Sequence, residues 1–157
     1  MTQTNATSSD PTVSGAISTF FKVQIDDIDG TYDLGTFISC EGLGLDVQVK
    51  DYEEGGNNGF VWKLPTRITY SNITLKRPLG PDASKLARWF ASLAGGVKRT
   101  TGHIVALTPD SQELVAWTLN GVIPVRWQGP SFSADSPALA TESLEIAHHG
   151  FTVTARS

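Results

Sequence analysis

The sequence predicts a mainly β domain: a small β-barrel of two orthogonally packed antiparallel sheets with one flanking α-helix. Three observations lead there. Apolar residues recur at every second position over most of the chain, the period of strands with one buried face. Several of these runs switch phase partway, so a straight strand would turn half of its apolar side chains outward. A single stretch has helical spacing, with strands on both sides and none of the strand–helix alternation of a parallel sheet. Strands that pass round a corner and serve both sheets of a barrel would account for the switches. The alternative is that each switch marks a strand end in an ordinary sandwich.

The first strand lies in FFKVQIDDI, where Phe21, Val23 and Ile25 share a phase that slips at Ile28 before the turn Asp29-Gly30. Next, Ile38 and Cys40 are in even phase, whereas Leu43, Leu45, Val47 and Val49 are in odd phase. Glu41-Gly42 stands at the change, and a glycine there marks a bulge or sharp bend. EEGGNNG at 53–59 links the run ending at Tyr52 to the one starting at Phe60 and reads as a long hairpin tip projecting from the body. In RITYSNITLK, Ile68 and Tyr70 are even while Ile73 and Leu75 are odd, so the chain bends near Ser71-Asn72.

The helix follows. Pro81-Asp82 offers a cap, and Ala83, Leu86, Ala87, Phe90, Leu93 and Ala94 fall on one face. Ser84, Lys85, Arg88 and Ser92 point away, and Gly95-Gly96 ends the run. Beyond it Val115, Trp117, Leu119, Ile123, Val125 and Trp127 keep one phase through Gly121, which predicts a long strand, or two collinear ones, with a single buried face. The Pro/Ser-rich stretch 128–142 is too long for a tight turn, and loops of that length are usually disordered or used for contact. Finally Leu144 and Ile146 are even, Phe151 and Val153 odd, and Gly150 lies between them.

At 157 residues the chain suits one domain, expected at 18–157 behind a flexible N-terminal arm at 1–17. That arm has neither the basic nor the apolar region of a signal peptide, and no run approaches the ~20 apolar residues of a membrane span. A net charge of -4 lacks the basic face that specific nucleic-acid binding needs. The lone Cys40 excludes an internal disulfide, fits synthesis in the cytoplasm, and has no local basic neighbour to make it a nucleophile.

Reactive constellations are thin. His148 and His149 are adjacent, so on a strand their rings face opposite ways and cannot easily share a metal, and His103 has no partner at ligand spacing. Gly42-Leu43-Gly44 lacks the third glycine and the following helix of a dinucleotide site. Asp26-Asp27 and Glu53-Glu54 read as a hairpin end and a solvated tip. Lys76-Arg77 and Lys98-Arg99 read as partners of carboxylates in the same or a neighbouring copy. No catalytic residue, cofactor or metal ligand is assigned. Four tryptophans (Trp62, Trp89, Trp117 and Trp127) exceed what the core stripes accommodate, and tryptophan favours surfaces buried between chains.

Two strings are specific in combination. The first holds Leu64 and Pro65 followed by Tyr70, Asn72, Ile73, Thr74, Leu75, Lys76 and Arg77; the second holds Pro124, Trp127, Gly129 and Pro130. Glu142, Leu144, His148 and Gly150 complete the pattern. With them the sequence, from Phe20 to Gly150, resembles the inner tube proteins of contractile injection systems and phage tails, relatives of the haemolysin-coregulated protein of type VI secretion.

The resemblance implies a structural subunit without catalysis. Six copies would close a ring, and rings would stack into a hollow tube inside a contractile sheath. Baseplate and tube-cap proteins would be further partners, with cargo in the lumen and delivery through a target envelope. The working place would be a virion tail or an extracellular or cytosolic particle. The tip, Glu53, Glu54, Gly55, Gly56, Asn57, Asn58 and Gly59, would reach the next ring, and the arm would order on stacking. The chain departs from its relatives at Thr66, Val122-Ile123 and His149. The competing reading is a stand-alone β-barrel that binds a small ligand.

Overall fold

A computed structural model describes residues 19–28, 30–56, 58–131, 135 and 139–155. The expected arm at 1–17, Asp29, Asn57 and much of the 128–142 connection lie outside the described residues. The strands are β1 (Phe20–Asp27), β2 (Gly30–Phe37), β3 (Ser39–Glu41), β4 (Leu45–Tyr52), β5 (Trp62–Tyr70) and β6 (Ile73–Pro78). Helix α1 (Ala83–Ser92) tightens into a short 3-10 turn (Leu93–Gly95), and β7 (Thr100–Leu107), β8 (Glu113–Gln128), β9 (Thr141–Ala147) and β10 (Phe151–Ala155) follow.

Two antiparallel layers share β8. Its first half pairs with β7 and β10, and its second half with β9, so the hydrogen-bonded path runs β2-β1-β7-β8-β9-β6-β3. Between the layers Val23, Ile25, Ile104 and Leu119 meet Ile73, Leu75, Leu144 and Ile146, all fully buried. Leu34 and Phe37 of β2, with Leu86 and Trp89 of α1, close one side.

The mainly β class with two sheets and one helix is as expected, but the sheet does not close into a barrel. Its two ends, β2 and β3, are not laddered to each other. The chain crosses from one layer to the other at Ile38, whose N–H donates to Lys76 O at 3.0 Å, so β3 is committed to β6. Among the described residues, strand edges therefore remain unpaired.

The phase switches at 40–45, 70–73 and 146–151 mark strand ends, where the chain leaves one sheet for another. At the first, Gly42 has φ +92, and a side chain there would run into the backbone oxygen of Asn72. The strand that does bend round the corner is β8, whose apolar pattern shows no switch. Leu119 and Val122 are both buried, while Val125 and Trp127 are exposed, so the expected single buried face is absent. Gly121 turns the backbone with φ +63, and a second irregularity lies between Pro124 and Arg126. Each slips the phase by one, and the two slips cancel in the sequence.

In α1 the buried pair is Leu86 and Trp89, with Phe90 partly buried. Ala94, expected on the inner face, is exposed. Asp82 makes no side-chain cap; its carboxylate instead meets Lys85 Nζ at 2.9 Å, and the Ala83 N–H donates to Gly80 O.

Candidate assembly interface

The β4–β5 hairpin stands apart from the body. Its strands pair from Leu45↔Tyr70 to Tyr52↔Trp62, with a bulge opposite the Gln48/Val49 step. Thr66, a departure from the family pattern, occupies that bulge and donates from Oγ1 to Gln48 O at 3.1 Å. Every residue of β4 is exposed, as is β5 up to Ile68. Because opposed residues share a face, Leu45, Val47, Val49, Pro65 and Ile68 form one apolar face. Asp46, Gln48, Lys50, Arg67 and Thr69 occupy the other, which turns aromatic toward the tip at Tyr52 and Trp62.

A two-stranded ribbon alone is marginal in water, and contiguous exposed apolar surface marks a contact site. Here Val49 is 53% and Ile68 55% exposed, values at odds with the buried stripe their alternation suggested. The hairpin is rooted by Tyr70, whose ring meets His148 at 5.4 Å and Phe151 at 6.1 Å.

At the far end Phe60 packs edge-on to Trp62 at 5.0 Å, and the Trp62 indole N–H donates to Glu54 Oε2 at 3.4 Å. Glu53, Glu54, Gly55, Gly56, Asn58, Gly59, Phe60 and Val61 enclose an open hollow of about 480 Å³. The tip is thus a folded-over turn carried on two exposed strands.

The family-motif residues outside the hairpin gather around a buried polar knot between the sheets. Arg77 of β6 and Glu142 of β9 are direct cross-strand partners, 3% and 1% exposed. Arg77 Nε donates to Glu142 Oε1 at 2.5 Å, its remaining nitrogens donate to Leu34 O (2.5 Å) and Asp82 O (2.9 Å), and its guanidinium lies 4.5 Å from the centre of the Phe37 ring. The Trp127 indole N–H donates to Glu142 Oε2 at 3.2 Å. Every buried polar side-chain atom among the described residues has a partner, as a buried charge requires.

The other motif residues frame this knot. Ile73, Leu75 and Leu144 are core, with Thr74 and Lys76 alternating between them; Lys76 pairs loosely with Glu41 at 3.7 Å. Asn72 donates to Glu145 Oε1 at 2.8 Å, and Pro124 stands opposite Ile146. Gly129 and Pro130 follow β8 directly, and Leu64 and Pro65 belong to the hairpin.

The three histidines make hydrogen bonds. His148 is buried; its Nδ1 accepts the Gly150 N–H at 3.2 Å, so Nε2 donates to Ser71 O at 3.1 Å, which ties the root of the hairpin to the turn before β10. His149 accepts from Arg99 at 2.6 Å, and His103 faces Asp26 at 2.8 Å. Burial, and secondarily Glu41, pushes the Cys40 thiol up to about 11, so it is inert near neutrality. Among the described residues no three His, Cys, Asp or Glu are grouped to hold a metal, and no helix is long and apolar enough to cross a membrane.

A two-layer β subunit with open edges and an apolar ribbon projecting from it is a building block for a larger assembly. Residues 18–152 match the family described as T4-like virus tail tube protein gp19, and the chain belongs to that family. It is a structural tube subunit.

Solved structures share the fold. A chain of the anti-feeding prophage baseplate, 19% identical, superposes with TM-score 0.70 over 99% of this chain and 98% of that one. A chain of the sheath-tube complex of the PVC extracellular contractile injection system, 23% identical, gives 0.69 over 87% and 88%. Hcp1 from Salmonella typhimurium, 14% identical, gives 0.51 over 87% and 93%. No curated protein matches the sequence.

The motif strings thus pointed to the right family mostly through residues that build the body, with Leu64, Pro65 and Tyr70 in the hairpin. The exposed hairpin face carried a weaker signal: Leu45, Val47 and Val49 alternate like a core stripe, and only the polar tip beyond them suggests projection.

Proposed function

We propose that the chain acts as the repeating unit of a tube of stacked homohexameric rings, in which the β4–β5 hairpin is the principal contact between copies. The observation that carries this reading is the hairpin's apolar face, which nothing among the described residues covers. Ring closure would cover that face and pair the open strand edges while ending sideways growth.

In this reading residues 18–157 form the tube domain, the tip at 53–59 reaches the next ring, and the arm at 1–17 orders on stacking. A contractile sheath surrounds the tube, with baseplate and cap proteins at its ends and cargo in the lumen. The subunit is made in the cytoplasm and works in an assembled, phage tail-like particle. Support comes from the family and from solved relatives, among them a sheath-tube complex and a tube-terminating cap.

Electron micrographs of the concentrated protein should show annular particles or short tubes. Deletion of residues 53–58 should leave a folded subunit that forms rings but stacks poorly. A wild-type protein that stays monomeric at every concentration and salt would overturn the tube reading. Full-length tubes from the deletion would overturn the role of the tip.

A further inference from the structure

We infer that Trp127 is a contact residue between copies, held in orientation by the buried Arg77–Glu142 pair, and that the apolar hairpin face of a second copy covers it. The inference rests on the tube reading above and names the surface that the hairpin meets.

Trp127 lies opposite Leu144, on the core-facing side of its sheet, yet it is 37% exposed because it stands at the sheet's end. The Phe90 ring of α1 is 5.6 Å away. The indole is not free to turn, because its N–H donates to Glu142 Oε2. That carboxylate is itself fixed: its other oxygen takes Arg77 Nε, and Arg77 is anchored by backbone oxygens of Leu34 and Asp82. Four elements of the fold thus fix one half-exposed ring.

A buried ion pair seldom stabilises a fold more than an apolar pair of the same size would. What it adds here is orientation, which removes from association the entropic cost of ordering a large side chain. The partner follows from what is uncovered. Leu45, Val47, Val49 and Ile68 form an apolar face that needs a cover, and the oriented indole is an apolar surface at the end of the body. Identical copies in a ring would bring the same two surfaces together at every junction.

The test uses the full-length chain and its critical concentration for assembly, read by light scattering, with circular dichroism confirming the fold of each variant. Trp127→Ala should raise that concentration about tenfold or more, as for a tryptophan central to an interface, and Trp127→Phe should raise it less. Glu142→Gln should raise it in the wild-type background but add nothing to Trp127→Ala. A merely structural Glu142 would act equally in both backgrounds.

The emission of Trp127, taken as the difference from Trp127→Phe, should shift to the blue on assembly, and Val47→Asp should abolish that shift. Trp127→Ala assembling at the wild-type concentration would overturn the inference while leaving the tube reading intact. So would a Glu142→Gln effect that persists without Trp127. A Trp127 shift unaffected by Val47→Asp in assembled protein would overturn the hairpin as its cover.

Discussion

The body and the hairpin are built from the same kinds of residue in the same alternation, and they end in opposite states. In β9, Leu144 and Ile146 are fully buried; in β4, Val47 and Val49 are about half exposed. Period-two alternation specifies that a strand has one apolar face, but not what lies against it. For the body the opposite layer of the same chain supplies the cover. For the hairpin nothing among the described residues supplies it, and in the tube reading a second copy does, which would separate what folds the subunit from what assembles it.

The largest expected break of that separation is at the knot. Arg77→Ala would leave the Glu142 carboxylate buried without its cation and take a donor from the oxygens of Leu34 and Asp82, the latter keeping the Lys85 N–H. A loss of about 3–5 kcal/mol of subunit stability is expected. Denaturant unfolding of the monomer under non-assembling conditions measures it, and a loss below ~1 kcal/mol would mean that water replaces the guanidinium.

Matched truncations sharpen the comparison. Leu75→Ala removes side-chain volume from the fully buried core and should cost about 2–5 kcal/mol. Val47→Ala, on a strand exposed along its length, should change monomer stability by less than about 0.5 kcal/mol. Equal effects in the two variants would show that the hairpin packs on its own body in solution.

Gly42 tests the joint between the regions, since it leads from β3 of the body into β4. Gly42→Ala forces a left-handed φ on a residue with a Cβ and drives that carbon into the Asn72 backbone. The expected cost is about 1–3 kcal/mol. Because Asn72 sits between β5 and β6, the loss should come with a displaced hairpin, seen as faster proteolysis near 53–59.

Much of the body was legible in the sequence. The helix and the strand positions follow from periodicity, because side chains that face one layer must recur at the period of their element. The corner of β8 was illegible for a definite reason: Gly121 and the irregularity near Val125 each slip the register, so Trp117 and Trp127 keep the same phase although the strand has changed sheets. Trp89 was missed because α1 buries only a narrow stripe, and the bulkiest side chain takes it. Arg77 and Glu142 lie 65 positions apart, and only the pairing of β6 with β9 makes them neighbours. The exposure of Val47 and Ile68 reflects the lack of a cover among the described residues, which local alternation does not encode.

The smallest effect comes from solvent-facing charges, where body and hairpin should again differ. On the body, Asp26 takes a hydrogen bond from His103 and another from Thr31 Oγ1, and these hold its carboxyl below the ordinary value of 3.8. A lowered carboxylate stabilises the fold fully above its unfolded value and loses that contribution as pH falls through the folded one. At 42% exposure the effect is well screened, so Asp26→Asn should lower the melting temperature at pH 7 by about 1–2 °C, less in high salt. The difference should shrink toward zero as the pH drops below about 4, and one that widened would give the group the opposite role. Asp51, which meets Lys63 at 2.9 Å on the hairpin, should show no such melting effect when changed to Asn, because the ribbon it braces is not what melts with the core.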